Sequence, residues 1–249
     1  MIELALETPK ALLEELTPLC DFSFCLAQEV LADGEYAKFY KREKGSDRLV
    51  IMDNGFHELG RPLSIPELVE AASRINPTYV VAPDMIDDLP WTYKQWKKCE
   101  TAFENREALG IFDTVPIPVL VEGPELDQKS FLMNIQPKVL CLPFRRNRLE
   151  WFRFHRDTLK QVEHIHLLGV STIDELRYWA DYSERYGFMC TVDTSKPVKW
   201  GLLGSRMDQV PSIRHAPIHS SKIASIGHVQ EMQRGTIYWN VAYLRRFLG

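Results

Sequence analysis

Four acidic residues of this chain each follow a short apolar run: Asp53, Asp84, Glu122 and Asp193. Apolar runs of this length predict buried strands, and the carboxyl end of a strand is a typical position for catalytic and binding side chains. One such aspartate alone is explained by a turn cap. Four in the same pattern favour a shared site, most clearly at Asp193, where two hydroxyl residues, Lys196 and Lys199 follow directly.

Four converging carboxylates suit two kinds of chemistry. Carboxylates and water are ligands that Mg²⁺ and Mn²⁺ prefer. Alternatively, one carboxylate attacks a sugar carbon while a second transfers a proton, because a nearby negative charge stabilises an oxocarbenium-like transition state. The spacing of the acids leaves both alternatives open.

The elements that must position these acids alternate along the chain. Seven strands are predicted at residues 22–26, 48–53, 79–84, 118–122, 138–144, 164–170 and 188–192, and an eighth is expected between residues 215 and 229. Capping boxes at residues 64–67 and 172–175 open two of the intervening helices, and a long helix is predicted over 91–109. Residues 27–47 give no clear prediction.

Alternating strands and helices predict right-handed βαβ units, and therefore an α/β fold with a parallel sheet. The length of 249 residues is typical of a single (β/α)8 TIM-type barrel. An open doubly wound sheet is the second choice, since the phosphate-binding patterns GxGxxG and GxxxxGKS of that class are absent. We therefore predict one barrel domain over residues 1–249.

The amino-acid composition argues against some classes of protein and favours others. A formal charge of -4 and a pI near 6.0 argue against binding nucleic acid through bulk charge, so any such contact must come from a local basic patch. Five cysteines without CxxC spacing favour reduced thiols. The sequence shows no secretory leader and no apolar segment of membrane-spanning length, so a cytoplasmic protein is expected.

One local basic patch follows the strand predicted at 138–144. Arg145, Arg146 and Arg148 are interleaved with aromatic residues, a pattern that suits phosphate contacts beside an unstacked base. A solvated amphipathic helix explains the pattern equally well. Lys196 and Lys199 are further phosphate candidates because they follow Asp193 so closely.

The strand ends resemble, in order and spacing, those of the tRNA-guanine transglycosylase superfamily. The motifs are Asp53-Asn54-Gly55-Phe56, Ala82-Pro83-Asp84, Val121-Glu122-Gly123, His166-Leu167-Leu168-Gly169-Val170-Ser171 and Val192-Asp193-Thr194. Residues 238–248 also resemble the closing helix of that family. The resemblance implies a (β/α)8 barrel that exchanges guanine in a nucleic acid for a 7-deazaguanine base.

The resemblance also implies a role for each matching residue. Asp193 matches the nucleophile, which forms a covalent glycosyl ester, and Asp53 matches the general acid/base. Asp84 resembles the carboxylate that reads the N1–H and 2-amino donors of the purine. Base contacts are expected from Asn54, Glu122 and Gly169, with Phe56 or Leu168 against the purine face; the family usually has Ser and Gln where Asn54 and Glu122 stand.

Two departures point to a particular branch of the family. Members that act on tRNA carry a CxCxxC zinc motif, whereas this chain has Glu231, Gln233 and Thr236 at those positions. The alternating His164 and His166 are expected on opposite faces of a strand and so do not make a zinc site. We predict no metal and no cofactor.

No added RNA-binding domain is expected after Gly249, and in this respect too the chain resembles the short phage-type DNA-guanine transglycosylases. These place 7-deazaguanines such as preQ0 in DNA, which protects a viral genome from restriction. The implied partners are DNA with a flipped-out guanosine and a free 7-deazaguanine base. The alternatives are the same chemistry on tRNA, a non-catalytic nucleic-acid-binding barrel subunit and, more remotely, a metal-dependent hydrolase.

Overall fold

A computed structural model describes residues 2–104, 113–144, 148–170, 172–210, 218, 223 and 226–248. Its strands are β1 (Ile2–Leu6), β2 (Ser23–Leu26), β3 (Val50–Asp53), β4 (Tyr79–Val81), β5 (Val115–Ile117), β6 (Val139–Leu142), β7 (His164–Leu167) and β8 (Met189–Thr194). Its α-helices are α1 (Leu13–Leu16), α2 (Ala27–Ala32), α3 (Gly34–Gly45), α4 (Phe56–Leu59), α5 (Ile65–Ile75), α6 (Leu89–Glu104), α7 (Glu125–Ile135), α8 (Arg148–His155), α9 (Ile173–Tyr186), α10 (Lys196–Leu202) and α11 (Glu231–Arg245).

The strands belong to two four-stranded sheets, and their described pairings are parallel. The predicted α/β class with parallel sheets is therefore confirmed. The chain divides into two compact units. Unit 1 comprises Met1–Phe22, Phe144–Arg153 and Glu163–Gly249, and unit 2 comprises Ser23–Pro143 and Phe154–Val162.

Unit 1 contains the strand order β1-β8-β7, in which β8 is central. Ala5 pairs with Asp193 and His166 pairs with Thr191, so this register places the carboxyl end of β8 between those of its neighbours. Strand β1 was not predicted. It supplies the eighth described strand, which the sequence had suggested between residues 215 and 229; the described residues of that stretch form no strand.

Unit 2 contains the order β2-β3-β4-β5, and a parallel bridge from Val119 to Cys141 brings β6 next to the chain that follows β5. The fourth predicted strand lies earlier than expected, at Val115–Ile117. Pro118 lacks the N–H that would extend the ladder, so regular pairing ends before it. Glu122 consequently lies beyond the strand and is exposed.

Local signals explain the helix ends. Ser64 and Glu67 form the predicted capping box, and Leu68, Ala71 and Ile75 form part of the buried face of α5. Thr172 caps α9, which Gly187 ends with a φ of 73°. Residues 27–47, for which there was no clear prediction, form α2 and α3, and Asp33 caps α3.

The interior is mainly apolar, and all five cysteines are buried thiols outside any disulfide. The predicted helix over 91–109 is described as far as Glu104. Across the described ranges, every helix is too short or too polar to cross a membrane.

Candidate functional site

The carboxylate of Asp53 ends β3 and is held by the turn that follows it. The backbone N–H of Gly55 donates to Asp53 Oδ2 at 2.8 Å, and the residue is only 9% exposed. Gly55 has a φ of 78°, which a side chain would disfavour, and it precedes α4. This turn holds Asp53 and Asn54 at the carboxyl end of the strand, and an Asn-Gly pair is typical of such a turn.

Asn54 joins Asp53's turn to the end of the neighbouring strand. Its Nδ2 donates to Ala82 O at 2.8 Å and to Asp84 Oδ1 at 2.7 Å, while its Oδ1 accepts from the N–H of Phe56 at 2.9 Å. Because all its hydrogen bonds are internal, this buried amide orients Asp84. Unit 2 therefore brings together three of the predicted residues, Asp53, Asn54 and Asp84.

Asp84 is a buried carboxyl group with an altered acidity. Burial raises its pKa to about 6, and the hydrogen bond from Asn54 opposes that shift. A carboxylate therefore persists at neutral pH in a place where its charge is costly. Such groups cluster at functional sites because folding alone does not require them.

We expect Gly55→Ala to destabilise unit 2. A Cβ at this position would lie 2.6 Å from Gln28 Oε1, and the φ of 78° is unfavourable for alanine. The loss in unfolding free energy, measured by urea denaturation, should be roughly 1–3 kcal/mol. Gly235→Ala is the matched control: a Cβ there meets nothing within 4 Å in α11, so stability should rise by up to about 1 kcal/mol. Equal effects of the two changes would contradict this account.

In unit 1, Asp193 lies near the end of β8 and is 9% exposed. Its Oδ1 accepts from the N–H of Gly169 at 3.2 Å and lies 3.4 Å from Nε2 of His166. Both contacts fall on the same carboxylate oxygen. Neither contact involves the other oxygen, Oδ2.

The two histidines of β7 share one face, so the prediction that they point to opposite faces is wrong. Residues two apart on a strand lie on the same side of it. His164 Nε2 lies 2.7 Å and His166 Nδ1 2.9 Å from the same atom, Thr191 Oγ1 of β8. Burial, and in smaller part the electrostatic interaction with His166, lowers the pKa of His164 to about 3, so that imidazole is neutral at physiological pH.

Arg148 was predicted to bind phosphate, and the structure corrects this. Its side chain is 1% exposed and forms an ion pair with Glu175, Nε to Oε1, at 2.6 Å. Its terminal nitrogens donate to the carbonyl oxygens of Leu168 and Gly169. A buried, paired guanidinium cannot reach a nucleic acid; Arg148 instead holds the loop whose Gly169 N–H contacts Asp193. Arg145 and Arg146 lie outside the described residues.

The remaining predicted contact residues are accessible to different degrees. Lys196 and Lys199 are half-buried on α10, Phe56 is half-buried at the start of α4, and Leu168 is half-buried after β7. Each stays a prediction.

Sequence reasoning missed several residues at these strand ends. His166 contacts Asp193, and Glu7 follows β1, where its N–H donates to Thr194 O at 3.1 Å. The signal for Glu7 was present in part, because residues 2–6 are apolar except for Glu3 and are followed by an acid. Phe144 was noted only as part of the basic patch; it is 47% exposed, and its ring lies 5.8 Å from Lys196 Nζ.

The expectation of no metal stays a prediction. Nowhere in the described ranges do three or more His, Cys, Asp or Glu side chains gather as potential ligands.

No protein-family model and no curated protein matches the chain. Among solved structures, the chain is similar to KGPDC from Streptococcus mutans, a TIM barrel, with a TM-score of 0.52 and 11% identity over 100% of both chains. At that identity the likeness concerns the fold.

Proposed function

We propose that this chain is a DNA-guanine transglycosylase, a pentosyltransferase that exchanges guanine in DNA for a 7-deazaguanine base such as preQ0. One observation carries the proposal: Asp53, Asp84 and Asp193 are each buried at or just after the carboxyl end of a parallel strand. These are the positions at which the sequence resembles the transglycosylase superfamily. Burial of three carboxylates at strand ends is costly without a function for them.

We further propose that the eight strands belong to one (β/α)8 barrel. The similarity to a TIM barrel over the whole of both chains supports this architecture. In such barrels the active site lies at the carboxyl ends of the strands.

In the proposed first half-reaction, Asp193 Oδ2 attacks C1′ of a flipped-out guanosine. A C–O bond forms, the C1′–N9 bond breaks, and its electron pair leaves with guanine, to which Asp53 gives a proton. The product is a glycosyl ester of Asp193 and free guanine.

The second half-reaction reverses these roles. Asp53, now a carboxylate, takes the proton from N9 of the incoming 7-deazaguanine. That nitrogen attacks C1′, and the ester C–O bond breaks to restore the carboxylate of Asp193. The cycle needs no oxidant and no external cofactor.

Asp84 would select the base. An ionised carboxylate accepts two parallel hydrogen bonds from the N1–H and 2-amino groups of a guanine-like ring, whereas adenine offers an acceptor at N1. The bond from Asn54 to Oδ1 holds the carboxylate in one orientation. Asn54 would therefore act mainly by positioning Asp84.

The choice of DNA over tRNA rests on the sequence at residues 231–236. Glu231, Gln233 and Thr236 replace the zinc-binding cysteines of members that act on tRNA. Phosphates would be contacted by Lys196 and Lys199, with Arg145 and Arg146. Base flipping costs roughly a few kcal/mol, and these phosphate contacts would offset that cost. Protection of a viral genome from restriction is the biological role this chemistry suggests.

The decisive experiment measures base exchange on two substrates side by side. Duplex DNA and tRNA, each carrying radiolabelled guanine, are incubated with the chain and unlabelled preQ0, and label release is followed. We expect release from DNA and little from tRNA. Release from tRNA alone would favour the second candidate substrate, and binding without release from either would favour a non-catalytic subunit.

A further inference from the structure

Two histidines and a threonine form a buried polar chain that ends at Asp193. Thr191 Oγ1 lies 2.7 Å from His164 Nε2 and 2.9 Å from His166 Nδ1, and His166 Nε2 lies 3.4 Å from Asp193 Oδ1, an ion-pair distance that does not meet hydrogen-bond geometry. His164, His166 and Thr191 are at most 2% exposed. Nothing in the proposed reaction uses these three side chains, so their burial beside the proposed nucleophile requires a reason.

The positions of the hydrogens follow from the charge of Asp193. A nitrogen lone pair facing a carboxylate oxygen would repel it, so we assign the hydrogen of His166 to Nε2. In the neutral ring, Nδ1 then accepts, and the hydroxyl of Thr191 must donate to it. The oxygen of that hydroxyl in turn accepts from Nε2–H of His164, which burial keeps neutral.

We propose that His166 is a positioning residue for the nucleophile, and that Thr191 and His164 fix the tautomer that places the Nε2–H of His166 beside Asp193 Oδ1. Hydrogens are donated from His164 to Thr191 and from Thr191 to His166, and the Nε2–H of His166 then lies beside the acceptor Asp193. Each link depends on the one before it, because a hydroxyl that donates to His164 would leave His166 with the wrong tautomer.

These contacts distinguish the two carboxylate oxygens of Asp193. His166 and the N–H of Gly169 both contact Oδ1, the latter at 3.2 Å. The carboxylate is thereby held by one oxygen while Oδ2 stays available to attack C1′. Small errors in such an orientation lower rates strongly, since about 1 Å of misplacement costs roughly 10²-fold.

The same residues could suggest a hydrolase with Thr191 as nucleophile, as in a Ser-His-Asp triad. Thr191 is 0% exposed, and its hydroxyl lies between two imidazoles. A substrate carbonyl cannot reach it, so the arrangement serves Asp193.

The kinetic test compares two substitutions of similar size, His166→Gln and His166→Asn. The amide of glutamine reaches the position of Nε2, so it can still donate to Asp193; that of asparagine reaches only the position of Nδ1. We expect His166→Asn to lower kcat for guanine exchange about 10²-fold with KM little changed. His166→Gln should lose less than about tenfold.

Equal losses in the two variants, or a change confined to KM, would overturn the positioning role. Urea denaturation of both variants separates these effects from loss of fold. For its kinetic readout the assignment rests on the proposed transglycosylase activity.

A second test needs no activity. Nitrogen-15 NMR of histidine-labelled protein reports which ring nitrogen carries hydrogen. We expect Nε2–H on both His164 and His166, and loss of the single tautomer of His166 in Thr191→Val but not in Thr191→Ser. Hydrogen on Nδ1 alone of His166 would overturn the assignment. If the wild-type chain exchanges no base yet shows these tautomers, the proposed function fails while the hydrogen-bonded chain stands.

Discussion

Replacing Asp193 with asparagine is expected to abolish both guanine exchange and the covalent adduct with DNA. An amide is a poor nucleophile and offers no negative charge to an oxocarbenium-like transition state. Loss of a nucleophile lowers kcat by roughly 10⁴-fold or more. The fold should persist, because the carbonyl oxygen of asparagine can still accept from the N–H of Gly169.

The measurement is trapping of the protein–DNA adduct under denaturing conditions, together with the rate of label exchange. Asp181→Asn is the matched control. Asp181 is exposed on α9 and forms a surface ion pair with Arg185 at 3.1 Å, so its substitution should change stability by less than about 1 kcal/mol and leave exchange intact. An adduct that survives in Asp193→Asn would remove Asp193 from the role of nucleophile.

Asp84→Asn is expected to stabilise the fold at neutral pH and to abolish guanine recognition. Burial raises the pKa of Asp84 from 3.8 to about 6, so the folded state holds its carboxylate at a cost of roughly 3 kcal/mol above that pKa. Asparagine has the same shape, carries no charge, and its oxygen can accept from Asn54. The expected gain in unfolding free energy at pH 8 is about 1–3 kcal/mol.

The contribution of Asp84 to the free energy of unfolding changes with pH, and its direction follows from the raised pKa. Between about 3.8 and about 6 the folded state binds the proton that the unfolded state has lost, so Asp84 makes stability fall as pH rises through that window. The advantage of Asp84→Asn should therefore be absent near pH 3.5 and complete above pH 7, as urea denaturation at several pH values would show.

The same substitution removes one of the two acceptors that guanine needs. We expect kcat/KM for exchange to fall on the order of 10⁴-fold, since a site built for a hydrogen bond loses that much when the partner is wrong. In the wild type, kcat/KM should also fall as pH drops below about 6, where Asp84 becomes protonated.

Asp87→Asn is the control for Asp84→Asn, because Asp87 is exposed in the same loop and its φ of 63° suits either residue. It should change neither stability nor exchange appreciably. A wild-type exchange rate in Asp84→Asn would exclude Asp84 from base recognition, and lower stability at pH 8 would show that its charge stabilises the fold.

The acids could be identified from the sequence because the signals around them are local. Strands, turns and helix caps depend on residues that are close together in the chain. The sequence therefore shows the apolar run before Asp53, the Asn-Gly pair after it and the helix cap at Ser64. The amphipathic pattern of residues 144–156 can also be seen in the sequence. Periodicity does not reveal, however, which of its charged side chains is buried. Arg148 lies inside, paired with Glu175.

The sequence by itself determined the α/β class, the order of most strands and helices, and the acids that end three of the strands. Only the tertiary structure decided which side chains accompany those acids: Asn54 against Asp84, His166 and Gly169 against Asp193, and β1 beside β8. The physical reason is the distance along the chain over which each kind of interaction acts. Local hydrogen bonding and periodicity act over a few residues, whereas the partners of Asp84 and Asp193 are 24 or more residues away along the chain, and packing brings them within contact distance.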